Sequence, residues 1–137
     1  ALHGGTMKAL IHVVVSALFL MAPIRSSADG PECESATTTG QMVRCKQEQL
    51  SVSERALASL QARIEPKLNP NQLVLLRNAT LAWESFRQSN CSAVHSLFDE
   101  GTLAPLTFVG CMVAMTEWRI TDVKAAYGAL LENGGVP

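Results

Sequence analysis

Four cysteines, at positions 33, 45, 91 and 111, limit what this chain can become more than any other feature. Their spacing contains no C-x-x-C or similar close pair, so the paired ligands that hold structural zinc are missing. A thiol–disulfide reaction centre wants C-x-x-C beside a βαβ pattern, which is missing too. An even number of cysteines in a small exported domain reads instead as a disulfide framework. Four cysteines allow three connectivities, and the helical pattern described below chooses among them.

Export is read from the front of the chain. Residues 1–6 precede Met7 and are read as upstream residues. Lys8 then gives a short positive segment, and Ala9 to Ala22 is apolar apart from His12 and Ser16. Ser26-Ser27-Ala28 places small residues at a signal-peptidase site, so cleavage is expected after Ala28. The apolar run, about fourteen residues, falls short of the roughly 20 needed to span a bilayer. Cys33 follows Gly30-Pro31-Glu32 rather than a lipobox. The expected division is a leader over 1–28 and a soluble domain over 29–137, periplasmic or secreted, with no membrane association after cleavage.

Residues 29–137 hold nine basic and twelve acidic side chains, a net charge of −3, with His95 the one histidine. A mildly acidic domain without basic clusters is a poor ligand for nucleic acid, whose phosphates demand Lys and Arg.

Three amphipathic helices are legible. Thr38 or Thr39 can cap the first, with Gln41 or Met42 in its opening turn. Val43, Leu50, Leu57 and Ile64, with Leu60 between, then form one apolar stripe, which Pro66 ends. Asn69, Pro70 and Gln72 supply a cap, a first helical position and a capping box for the second helix. Its expected buried face is Leu73, Leu76, Ala79, Trp83, Phe86, Val94 and Leu97. "DEGT" at 99–102 breaks it. The third helix starts near Thr102 with Pro105 in its first turn, and lines up Leu106, Val109, Val113, Ile120, Val123, Tyr127 and Leu130 before "ENGG". No stretch alternates with period two for long, which argues against a sheet. The expected fold is all-α: a small, disulfide-stapled three-helix up-down-up domain with a short flexible C-terminal tail.

With Gly101 at the tip of a helical hairpin, Cys91 and Cys111 stand ten residues either side of it and at the same height. They can then meet the roughly 5.5 Å Cα separation of a disulfide. By elimination Cys33 pairs with Cys45.

Catalytic chemistry has little to work with. Any nucleophile–histidine pair rests on His95, whose neighbours "SAVHSLF" carry no nucleophile signature. Phosphate-binding glycine loops, H-E-x-x-H and EF-hand patterns are absent from the sequence. Adjacent Asp99 and Glu100 are read as a solvated loop rather than a glycosidase pair. The chain is read as non-enzymatic, with no metal site and no cofactor.

Four blocks, in order, carry a family resemblance: "CESATTTGQMVRC", "AWESFRQSNC", "DEGTLAP" and "CMVAMTEWR". Together they resemble the lysozyme inhibitor LprI-like family, which includes YecT-type exported bacterial proteins, over nearly all of Cys33 to Tyr127. The chain departs from the family pattern at Thr80, where Gln is usual, and at Gln88, where Asp is usual. It departs again at Glu100-Gly101-Thr102, where Gly-Gly-Ser is common. The Gln88 change is expected to remove a polar partner of Arg87. The resemblance marks Trp83, Phe86, Arg87, Thr116 and Arg119 as structural motif residues, the first three read as a core anchor. Trp118 lies off the main stripe, beneath the N-terminal segment or exposed.

What the family implies is inhibition of lysozyme by direct protein contact in the bacterial envelope. Animal lysozymes are small and strongly basic with a carboxylate-lined cleft, so a c-type enzyme is the expected partner. A rigid loop that occludes the cleft suits an acidic, stapled domain, and the contact is placed at Ser96, Asp99, Glu100, Gly101 and Thr102. The alternative is a non-catalytic envelope interaction module with a partner other than lysozyme.

Overall fold

A computed structural model describes residues 33–98 and 101–132. The expected leader at 1–28, Asp99, Glu100 and the C-terminal tail lie outside the described residues. The described residues fold into three helices: α1 (Thr39–Ile64), α2 (Pro70–Ser96) and α3 (Ala104–Glu132), with a 3-10 turn at Glu65–Lys67 joining the first two. Among the described residues there is no strand.

Local chemistry sets the helix starts. The Thr38 hydroxyl accepts from the Gln41 amide at 3.2 Å, and the Gln41 side chain accepts from the Thr38 amide at 3.0 Å. Asn69 and Gln72 repeat this reciprocal box at 3.0 and 2.9 Å, with Pro70 at the first helical position. Each box satisfies two donors that a helix start otherwise leaves bare.

The helices run up, down and up, and α3 packs closely against both others. Its apolar faces explain why. Leu57, Leu60 and Ile64 of α1 meet Leu76 of α2 and Val123 of α3 in one buried cluster. Leu68, Trp83, Ile120, Tyr127 and Leu131 pack around it. A fully buried aliphatic side chain of this kind contributes about 1.5–3 kcal/mol. α3 also buries Met112 and Thr116, which the single stripe read from sequence omits. A helix flanked by two others must bury two stripes, and a one-face reading finds only the first.

Both disulfides are as expected, Cys33–Cys45 by elimination and Cys91–Cys111 from the hairpin, with Cα separations of 5.8 and 5.5 Å. The first ties the segment before α1 to its second turn. The second ties α2 to α3.

On α2 the expected face needs correction. Leu76 and Cys91 are buried and Trp83 and Val94 half-buried, but Ala79, Phe86 and Leu97 are exposed. Phe86 is 60% and Leu97 78% exposed. At about 100° per residue, the inward line runs through Leu76, Thr80, Trp83, Arg87, Cys91 and Val94. Ala79, Phe86 and Leu97 fall on the flank beside it. Arg87, not Phe86, takes the inward position.

Candidate interaction surface

The tryptophan block and the closing cysteine block meet inside the α2–α3 seam. Arg87 donates through Nη1 to the Thr116 hydroxyl at 2.7 Å and to a Glu54 carboxylate oxygen at 3.0 Å. Thr116 is wholly buried and donates back to the Met112 carbonyl at 2.7 Å. The guanidinium of Arg87 lies 4.8 Å from the Trp83 ring centroid, and that of Arg119 lies 5.7 Å away. Both distances fall within cation–π range. Trp83, Arg87, Thr116 and Arg119 thus form one cluster spanning the seam. Phe86 lies outside it.

Arg87 has not lost its acid. Glu54, one helix away on α1, supplies the carboxylate that the Gln88 change was expected to remove. Sequence reasoning missed Glu54 because the pair joins positions 33 apart, with no local spacing to mark it. The Nε atoms of Arg87 and Arg119 are buried with no hydrogen-bond partner; the ring beside them is the interaction they keep. Apart from the partly exposed Glu54 carboxylate, this cluster is architecture that faces inward.

The far end of the α2–α3 hairpin faces outward. α2 closes as Phe98 donates its amide to the His95 carbonyl at 3.0 Å, and Gly101 donates to the Phe98 carbonyl at 2.9 Å. Ala104 then donates to Gly101 at 3.1 Å as α3 begins. A Cβ at Gly101 would stand 3.1 Å from the Phe98 carbonyl oxygen, a tight approach that favours glycine at this turn. Ser96 turns its hydroxyl back to the Ala93 carbonyl at 2.7 Å. Gly101 and Thr102 are exposed.

Sequence reading named the polar residues of this tip and passed over its apolar ones. Leu97, Phe98 and Leu103 are exposed at 78, 41 and 49%. They flank the acidic positions 99 and 100 on both sides. Val74, Leu75 and Leu81 of α2 are comparably exposed, at 57, 68 and 64%; what sets the tip apart is that its three apolar residues share one connection. Leu97 fits the apolar period of α2, and that period hides its exposure.

Behind the tip, Cys91–Cys111 fixes the two helices five residues before the end of α2 and seven after the start of α3. At 1.5 Å per residue the staple sits about 10 Å back. Met115 packs its sulfur 3.6 Å from Cys91 and 3.4 Å from the Asn90 amide nitrogen, covering the bridge. Trp118 resolves to the exposed alternative among the described residues, at 76%.

The described residues bring together no group of three or more His, Cys, Asp and Glu side chains able to hold a metal. No described helix is long and apolar enough to cross a membrane. Compared with known proteins, the chain matches the family model described as "Lysozyme inhibitor LprI" over residues 32–123. No curated protein and no solved structure matches it.

Proposed function

This chain belongs to the lysozyme inhibitor LprI family, and we propose that it binds and inhibits lysozyme by direct protein contact. The observation that carries the reading is the tip of the α2–α3 hairpin, where exposed Leu97, Phe98 and Leu103 surround the turn. Apolar anchors give contact energy when they are desolvated at the centre of an interface. The acidic pair Asp99 and Glu100 would meet the basic surface of a c-type lysozyme and speed encounter. The staple holds the tip before binding, which lowers the ordering cost of association.

We place this activity in a domain over 29–137, exported after cleavage at Ala28 to the periplasm or the medium. The contact set is Ser96, Asp99, Glu100, Gly101 and Thr102, enlarged here by Leu97, Phe98 and Leu103. Ser96 contributes by closing α2, since its hydroxyl is already engaged.

The test is protection of a lysozyme-sensitive cell suspension from loss of turbidity, with oxidised protein titrated against a c-type enzyme. Dose-dependent protection is expected, and the double variant Asp99→Lys with Glu100→Lys should weaken it, more at low salt than at high. A folded helical sample that protects against no c-, g- or i-type lysozyme would leave the family fold in place. It would make an envelope interaction module the better account.

A further inference from the structure

The seam between α1 and α2 is antiparallel and keeps one register. Arg77 meets Glu65, just past the end of α1, at 2.9 Å, Gln61 donates to Thr80 at 3.1 Å, and Arg87 meets Glu54 at 3.0 Å. Continued toward the hairpin tip, that register sets Leu50 opposite Ser92 and Gln47 opposite His95. Neither rung closes. All four residues line an open groove of about 520 Å³, backed by Pro105, Phe108 and Val109 of α3 and ended by Val43.

The reason lies in the side chains. Leu50 offers nothing for the Ser92 hydroxyl to bond. The His95 ring is held edge-on to Phe108, with centroids 6.1 Å apart. The zipper therefore stops at Glu54–Arg87, and the opening beyond it is about twice the 260 Å³ one beside Gln61 and Thr80. The floor and far end of that space are apolar: Val43, Leu50, Pro105, Phe108 and Val109. Three lining residues are polar: Gln47 from α1, and Ser92 and His95 from α2.

We propose that this groove is a binding site for a single-chain amphiphile, a medium-length alkyl chain carrying a hydrogen-bonding head group. Its volume falls in the range of small-ligand sites, which combine apolar walls with a few convergent polar groups. Val43 and Leu50 lie seven residues apart on α1, so the apolar wall runs about 10 Å. That length suits one medium chain and is too short for a long acyl chain or a diacyl lipid. The head group meets the Gln47 amide, the Ser92 hydroxyl and the His95 ring. A free fatty acid and a monoacyl lipid share this chemistry. The assignment is independent of the lysozyme reading.

The experiment is titration of the oxidised protein with sodium decanoate and, separately, with a decanoyl lysophospholipid, each below its micelle concentration. Calorimetry gives stoichiometry and amide NMR gives location. One molecule bound per chain is expected, with shifts centred on Val43, Leu50, Phe108 and Val109. Preference between the two probes identifies the source of the chain. Leu50→Trp, which fills the groove, should weaken binding at least tenfold, whereas Trp118→Ala, on the outer face, should leave it unchanged. If Leu50→Trp fails to fold by circular dichroism, Gln47→Leu with His95→Leu replaces it, with several-fold weakening expected. Absence of saturable binding by either probe overturns the proposal. So does equal binding by wild type and groove variants, or shifts centred elsewhere. Loss of lysozyme inhibition in Leu50→Trp without amphiphile binding by the wild type would also overturn it, and would give the groove to a partner side chain.

Discussion

The two ends of this bundle are built on opposite principles. At the end where α1 passes into α2, Leu57, Leu60, Ile64, Leu76 and Val123 are buried together, and polar rungs bridge to α2 beside a smaller opening of about 260 Å³. At the hairpin end the rungs stop, a groove opens, and Leu97, Phe98 and Leu103 face solvent. The lesson is a division of labour along one set of helices. The closed end gathers one buried cluster from all three helices, while the connection at the open end leaves three apolar side chains in solvent. Near the open end α3 still buries Ala104, Val109, Met112 and Val113, and the Cys91–Cys111 disulfide ties that stretch to α2.

This comparison can be broken most forcefully at the closed end. Ile64 has no exposed surface, and Ile64→Ala should cost about 3–4 kcal/mol, as large-to-small core changes do. Chemical denaturation reads the loss, and protection from lysozyme per folded molecule should be unchanged. Next in size is the staple. Replacing Cys91 and Cys111 by Ala should cost ~3 kcal/mol and, unlike the core change, should weaken inhibition by the molecules that remain folded. Third is the inward cluster. Arg87→Ala should lower stability by about 2 kcal/mol, because it removes hydrogen bonds to Thr116 and Glu54 together with the contact to Trp83. Glu54→Ala should cost under about 1 kcal/mol, since its carboxylate is nearly half exposed. The smallest stability effect belongs to the tip. Leu97→Ser with Phe98→Ser should move the unfolding free energy by no more than about 0.5 kcal/mol.

What sequence made legible follows the same division. Helix starts are local events, and Thr38 with Gln41 or Asn69 with Gln72 declare themselves within four residues. The hairpin pairing of Cys91 with Cys111 needed only two helices and a turn at Gly101. Errors began where the answer depended on which neighbour a face meets. Phe86 and Leu97 fit an apolar period on α2, yet the inward line belongs to Trp83 and Arg87, because α3 offers Thr116 there and α1 offers Glu54. Nothing near Arg87 in sequence names Glu54. The groove was further out of reach, since it exists only because a register spread over two helices stops at one rung. The acidic positions of the tip could be named from sequence, but Leu97, Phe98 and Leu103 could not, since exposure is a property of the packed hairpin.

The most direct test of the division is one variant measured two ways. Leu97→Ser with Phe98→Ser would be assayed by thermal unfolding and by protection of cells from c-type lysozyme, beside the wild type. The account predicts a melting curve superimposable on the wild type and protection reduced at least tenfold. A lowered melt with protection per folded molecule intact would contradict it, placing these side chains in the fold and the lysozyme contact elsewhere.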